Sequence, residues 1–180
     1  QNYVQSYLNI SMRIPDGYTE TKPGSSIFVS SDEMAFLKVG FYDKNAGFPV
    51  YTLSDVEENA EALVSYYIAH PESLGLPWKE SAEYEITDKR YQEIGGQNAY
   101  LIWFSAKGSG DTDMEFLAAF IECRNGFGCY HLVGAYPKGD DAAGAELLTA
   151  VNTFQSTGPA GTIYRRFYDE RLPFQFLYWE

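Results

Sequence analysis

Apolar positions that alternate with a period of two mark most of the predicted elements of this chain, and a 3.6-residue spacing marks two helices. Residues 7–14 alternate, with Leu8, Ile10, Met12 and Ile14 on one face, and stop at the turn Pro15-Asp16-Gly17. Residues 26–30 and 35–42 read as the next two strands, and a loop with the breakers Asn45, Gly47 and Pro49 follows. A helix is expected from Ser54 as N-cap, with Glu57 closing a capping box and Val56, Ala60, Leu63, Val64 and Tyr67 on one apolar face, ended by His70-Pro71. Residues 71–82 are irregular and carry Trp78, which would plug a core edge or line a surface groove. Residues 83–93 read as a polar edge strand that turns at Gly95-Gly96.

The centre of the pattern is apolar on both strand faces. In residues 98–107, Tyr100, Ile102 and Phe104 oppose Ala99, Leu101 and Trp103. In residues 114–123, Phe116, Ala118 and Phe120 oppose Leu117, Ala119 and Ile121; residues 129–136 repeat the pattern. A strand that is apolar on both faces is covered on both faces. The prediction is therefore an α+β fold, an antiparallel β-sheet with helices on both faces. The second helix opens at Asp140 or Asp141, turns Leu147, Leu148, Val151 and Phe154 inward, and stops before Thr157-Gly158-Pro159.

The two central strands flank Arg124-Asn125-Gly126-Phe127-Gly128. A two-residue Asn125-Gly126 turn would pair Cys123 with Gly128 and send Cys129 to the opposite face. A loop of three or five residues would set Cys123 across from Cys129, where a cross-strand disulfide can close. The longer loop with a Cys123–Cys129 disulfide is the expectation, stabilising by only about 2 kcal/mol because the closed loop is short.

Residues 160–180 hold much apolar surface beyond the last helix. The domain is expected to span residues 1–157, with 158–180 an aromatic extension that packs on the domain or sits at an interface. Either the tail covers a sheet edge or face, or it is a contact site for a partner. On the second reading the contact residues are Trp78, Tyr164, Phe167, Phe174, Phe176 and Trp179.

Composition narrows the function classes. The chain has 180 residues, enough for one domain with a real core, and its 15 Tyr and 12 Phe argue against disorder. A net charge of −12 disfavours nucleic acid and anionic membrane surfaces as partners. It serves solubility, or attracts cations or a basic partner. No apolar run reaches transmembrane length. No leader is visible at Gln1-Asn2-Tyr3, as if one had been removed or trimmed. Two cysteines close together in one hairpin fit an oxidising compartment better than a metal site.

Candidate chemistry is sparse. His131 and Cys129 share a strand face and could form a thiolate–imidazole pair; oxidation of Cys129 would remove the nucleophile, and a satisfied core histidine is the preferred reading. His70 suits a helix C-terminus. Asp111, Asp113 and Glu115 alternate as in a calcium loop but lack its glycine and distant glutamate, so they read as an acidic hairpin loop. There is no Gly-x-Ser-x-Gly elbow, P-loop or dinucleotide fingerprint. No catalytic residue, metal or cofactor is predicted.

Several short motifs, taken in order, resemble the PsbP/Mog-type α/β/α sandwich. Ile10-Ser11-Met12-Arg13-Ile14-Pro15-Asp16-Gly17-Tyr18 resembles its opening strand and turn. Leu53-Ser54-Asp55-Val56-Glu57 is similar to the start of its first long helix, and Ile94-Gly95-Gly96-Gln97-Asn98-Ala99-Tyr100 to its entry into a central strand. Asn125-Gly126 with Tyr130-His131-Leu132 resembles its hairpin, and Val151-Asn152-Thr153-Phe154 the end of its last helix. The likeness spans residues 7–156. That fold is shared by a photosystem II extrinsic subunit, a Ran-binding protein and many bacterial secreted proteins or lipoproteins, and it brings no catalytic residues. The cysteine pair and residues 160–180 fall outside it. It implies a non-catalytic, extracytoplasmic binding or interaction module, secreted or held by a lipid anchor outside the given chain, whose partner is an unidentified protein or small ligand. The alternative is a hydrolase using cleft carboxylates.

Overall fold

A computed structural model describes residues 1–5, 8–41, 52–70, 83–107, 113–123 and 128–156, together with the backbone of 164–167 and 176–179. In chain order the elements are β1 (Asn2–Gln5), β2 (Ile10–Arg13), β3 (Thr19–Glu20), β4 (Ile27–Val29), β5 (Phe36–Phe41), α1 (Leu53–Glu58), α2 (Ala60–Ala69), β6 (Tyr84–Ile94), β7 (Gln97–Lys107), β8 (Asp113–Glu122), β9 (Cys129–Pro137), α3 (Asp141–Asn152), β10 (Gln155–Ser156), β11 (Tyr164–Phe167) and β12 (Phe176–Trp179).

Seven strands form one sheet in the order β3-β4-β5-β9-β8-β7-β6, and every neighbouring pair is antiparallel. The alternation of β7, β8 and β9 sorts their side chains into two cores. On one face Tyr100, Ile102, Phe104, Phe116, Ala118, Phe120 and Val133 pack with Val56, Leu63, Val64 and Tyr67 of α1 and α2. On the other, Ala99, Leu101, Leu117, Ala119, Ile121 and Leu132 meet Leu147 and Val151 of α3 and, just beyond it, Phe154. The predicted α+β class, an antiparallel sheet with helices on both faces, is the observed one. Each fully buried leucine, isoleucine or phenylalanine here contributes on the order of 2 kcal/mol.

The second layer is mixed rather than purely helical. Of the expected strand 7–14 only β2 is regular. It belongs to a separate sheet, β1-β2-β10, and not to the main one. Its Ile10 and Met12 join the α3 core. The first helix begins earlier than Ser54: Thr52 is the N-cap, its Oγ1 accepting from Asp55 N at 3.2 Å while the Asp55 carboxylate accepts from Thr52 N at 2.9 Å. The reciprocal pair is thus Thr52–Asp55. Asn59, at φ −107°, ψ 15°, interrupts the helical run between α1 and α2. Val56, Ala60, Leu63, Val64 and Tyr67 are all buried, as their spacing predicts. Asp140 caps α3, accepting from Ala143 N at 3.0 Å.

Ile94 pairs with Gln97 across Gly95 and Gly96, whose φ values of +58° and +74° suit a two-residue hairpin turn. A Cβ at Gly95 would also run into the Phe154 carbonyl, so the α3 side of the molecule closes onto this turn and demands glycine there.

Candidate functional site

The β8–β9 register decides the fate of the cysteines. Glu122, not Cys123, stands opposite Cys129, and Cys123 N donates to Gly128 O at 3.2 Å. This is the pairing of the shorter turn. It points Cys123 into the α3 core and Cys129 into the α1/α2 core. The expected disulfide is therefore not formed: both are buried free thiols, on opposite faces of the sheet. Burial pushes each thiol up to about 12, so neither is a thiolate at neutral pH. The cysteines then carry no argument for an oxidising compartment.

His131 shares the Cys129 face, as expected, but it meets aromatic rings there. It lies between Tyr67 of α2, with ring centroids 5.2 Å apart, and Phe120 of β8, at 4.7 Å. The Tyr67 hydroxyl and His131 Nε2 are 3.0 Å apart. Burial, reinforced by the Lys38 charge, drives the imidazole down to about 3. An imidazole of such low basicity cannot take the proton of a thiol pushed up to about 12, so the two residues offer no thiolate nucleophile. His131 is a core histidine held by its neighbours. His70 is the C-cap of α2, with its ring 4.8 Å from that of Tyr66.

Carboxylates gather around tyrosines at the end of the sheet where α3 begins. Burial raises Tyr18 to about 12, with Glu146, Asp32 and Asp140 adding to the effect. Burial and a hydrogen bond to Glu115 raise Tyr136 to the same value. Asp32 is held below the usual carboxylate range by the Ser30 hydroxyl and by Met34 N. Among the described residues no three His, Cys, Asp or Glu side chains are placed to hold a metal ion. Of the predicted acidic loop, Asp113 opens β8, and Asp111 lies outside the described residues.

The predicted partner-contact residues divide as follows. Tyr164 and Phe167 lie in β11, and Phe176 and Trp179 in β12. These strands pair with each other in a sheet of their own, Tyr164 opposite Trp179 and Phe167 opposite Phe176. Trp78 and Phe174 lie outside the described residues.

Sequence reading missed a second aromatic surface, at β6. Tyr91 is 51 % exposed, stands edge-on to Tyr100 at 4.8 Å, and donates to Glu57 Oε2 of α1 at 2.8 Å. Tyr84 donates to Glu61 Oε2 of α2 at 3.4 Å. The signal in the sequence was the presence of tyrosines in an otherwise polar strand.

No family description and no curated relative matches the chain. Two solved structures share its architecture along most of their length. The solution structure of cyanobacterial PsbP (CyanoP) from Synechocystis sp. PCC 6803 superposes with a TM-score of 0.55 at 14 % identity, covering 87 % of this chain and 91 % of that one. The fold is PsbP/Mog-like. The crystal structure of the Ran-binding protein Mog1p of Saccharomyces cerevisiae agrees, with a TM-score of 0.52 at 11 % identity, covering 87 % of this chain and 95 % of that one. At these identities the PsbP/Mog likeness is one of architecture. No helix among the described residues is long and apolar enough to cross a membrane.

Proposed function

We propose that this protein is a non-catalytic binding module whose contact element is the aromatic ribbon β11–β12 beyond a domain of residues 1–157. The observation that carries this reading is the composition of the ribbon. Tyr164-Arg165-Arg166-Phe167 and Phe176-Leu177-Tyr178-Trp179 pair with each other and, among the described residues, with neither of the other sheets. A two-stranded ribbon is marginal alone in water, and aromatics and arginine are the residues that dominate protein contacts. Two basic side chains in a chain of net charge −12 also suit it to a surface unlike its own domain. The buried titratable groups Cys123, Cys129 and His131, all held in uncharged forms, support binding rather than catalysis.

The partner is a protein or small ligand, and Trp78 and Phe174 belong to the same surface on this reading. We further place the module outside the cytoplasm, either secreted or periplasmic, or held at the cell surface by a lipid anchor outside the given chain. The support is the resemblance to bacterial secreted proteins and lipoproteins of this fold, together with the cyanobacterial PsbP among the solved structures of like architecture.

Deleting residues 160–180 tests the reading. The remaining chain is expected to fold with native-like circular dichroism and a cooperative melt, and to lose capture of the partner that the full chain retains from its source extract. A truncated chain that does not fold would make the ribbon part of the core and end the proposal.

A further inference from the structure

β6 ends the seven-stranded sheet, and among the described residues it pairs only with β7. It is 11 residues long, about twice the usual strand length, and an open edge of that length is a template for another strand. A register shift between Ile86 and Asp88 breaks its first half and leaves residues 88–94 as a regular run. Pairing with β7 turns Lys89, Tyr91 and Glu93 to the face shared with Ile102 and Tyr100, below α1 and α2, and Asp88, Arg90 and Gln92 to the α3 face.

The two faces differ in how their charges are satisfied. On the α3 face Arg90 lies 4.4 Å over the Trp103 ring and 3.8 Å from Asp88, while Gln92 donates to Asn152 at 2.5 Å. On the other face Lys89 and Glu93 are exposed, and neither side chain has a hydrogen bond or ion pair among the described residues. Tyr91 between them is held by Glu57 and Tyr100.

We propose that two copies of this chain pair antiparallel through residues 88–94, about a twofold axis at Tyr91. The axis stands perpendicular to the sheet, so side chains that meet must come from the same face, and only registers centred on a residue are possible. Centred on Tyr91, Lys89 meets Glu93 of the second copy twice, Tyr91 meets its counterpart, and Arg90 meets Gln92. Centring on Lys89, Arg90 or Glu93 sets a charged residue against its own copy, and centring on Gln92 places Lys89 opposite Gly95 and forms no opposite-charge pair, whereas the Tyr91 register forms two and leaves only Asp88 facing Ile94. Charge complementarity therefore selects one register, and the same charges protect the edge from other pairings. Asp88 and Glu93 offset Lys89 and Arg90 within the run, so two molecules of net charge −12 approach where each is locally neutral. An edge contact of this size is smaller than a standard interface, and a Kd of about 10 µM to 1 mM is expected.

Sedimentation equilibrium of the full chain tests this. The wild-type chain should dimerise as its concentration approaches about 1 mM. Lys89→Glu and Glu93→Lys should each weaken the dimer about tenfold or more, since each reverses two cross-strand pairs. The double variant should recover wild-type affinity, a result that misfolding cannot produce and that does not involve residues 160–180. Tyr91→Cys should form an oxidised dimer bridged through the introduced thiols, which fall within bridging range across the axis. A wild-type chain that stays monomeric at about 1 mM, a dimer indifferent to either reversal, or a double variant that stays as weak as the singles would overturn the proposal.

Discussion

His131 carries a pH signature that no surface group can imitate. Its imidazole is buried between the rings of Tyr67 and Phe120, and in the folded chain it gains a proton only near pH 3. In the unfolded chain it gains one near 6.5. A depressed folded value means that the unfolded state binds protons first as pH falls. The stability is fully present above about pH 6.5 and is lost progressively down to about pH 3, by about 1.4 kcal/mol per unit. His131→Phe removes that slope and leaves Tyr67 without its Nε2 partner. The variant should be less stable than wild type at pH 7 by about 1–2 kcal/mol. Between pH 7 and pH 5, however, wild type should lose about 2 kcal/mol more than the variant does. Urea midpoints at the two pH values measure this, and parallel losses in both proteins would show that His131 titrates as an ordinary exposed histidine. That Cys129 and His131 share a face was legible from strand parity. That Tyr67 fills the space between α2 and His131 was not, because the two residues are 64 positions apart and meet only once the helix is laid on the sheet.

Among elements, the β8–β9 hairpin separates what a pattern determines from what a turn determines. The apolar runs named both strands and their double coverage correctly, since a buried sheet interior leaves few other options. The register depended on one residue of loop length, and one residue moves a side chain to the other face. The sequence was compatible with either register, and the observed one separates Cys123 from Cys129. Protein purified without reductant and unfolded in denaturant should therefore titrate two thiols per chain. A result of zero would mean that the bridge forms and that the hairpin takes the longer loop. β1, β3 and β10, each of two to four residues, escaped notice because alternation needs more positions than they offer. The Thr52–Asp55 cap was as visible as the Ser54–Glu57 alternative; both are hydroxyl-then-acid pairs at the required spacing, and tertiary packing of Leu53 and Val56 selects the earlier start. The β11–β12 ribbon was foreseen as an aromatic segment but not as paired strands, since Tyr164–Phe167 carries two arginines and neither four-residue run alternates regularly.

For the whole molecule, charge is the least balanced quantity. Acidic residues outnumber basic ones 25 to 13, and the ion pairs among the described residues are all on the surface: Gln1 N-terminus–Asp16, Arg13–Asp16, Arg90–Asp88 and Lys107–Glu83, at 3.4–3.9 Å with side chains half or more exposed. Pairs of this kind contribute about 0–1 kcal/mol each and lose part of that in salt. The surplus of acid acts the other way. Folding gathers twelve uncompensated negative charges into a smaller volume than the unfolded chain occupies. The Debye length falls from about 30 Å at 0.01 M to about 3 Å at 1 M salt, so the long-range repulsion is screened before the contacts near 4 Å are. Unfolding by urea at pH 7 should therefore shift to higher midpoints as sodium chloride rises from about 0.01 to 0.5 M, a gain on the order of 1 kcal/mol. Chloride is the proper choice because sulfate would strengthen apolar burial by exclusion and obscure the electrostatic effect. A midpoint that falls with added chloride would mean that the surface pairs outweigh the net charge, and that the acidic side chains are arranged to be stabilised by neighbours rather than merely to keep copies apart.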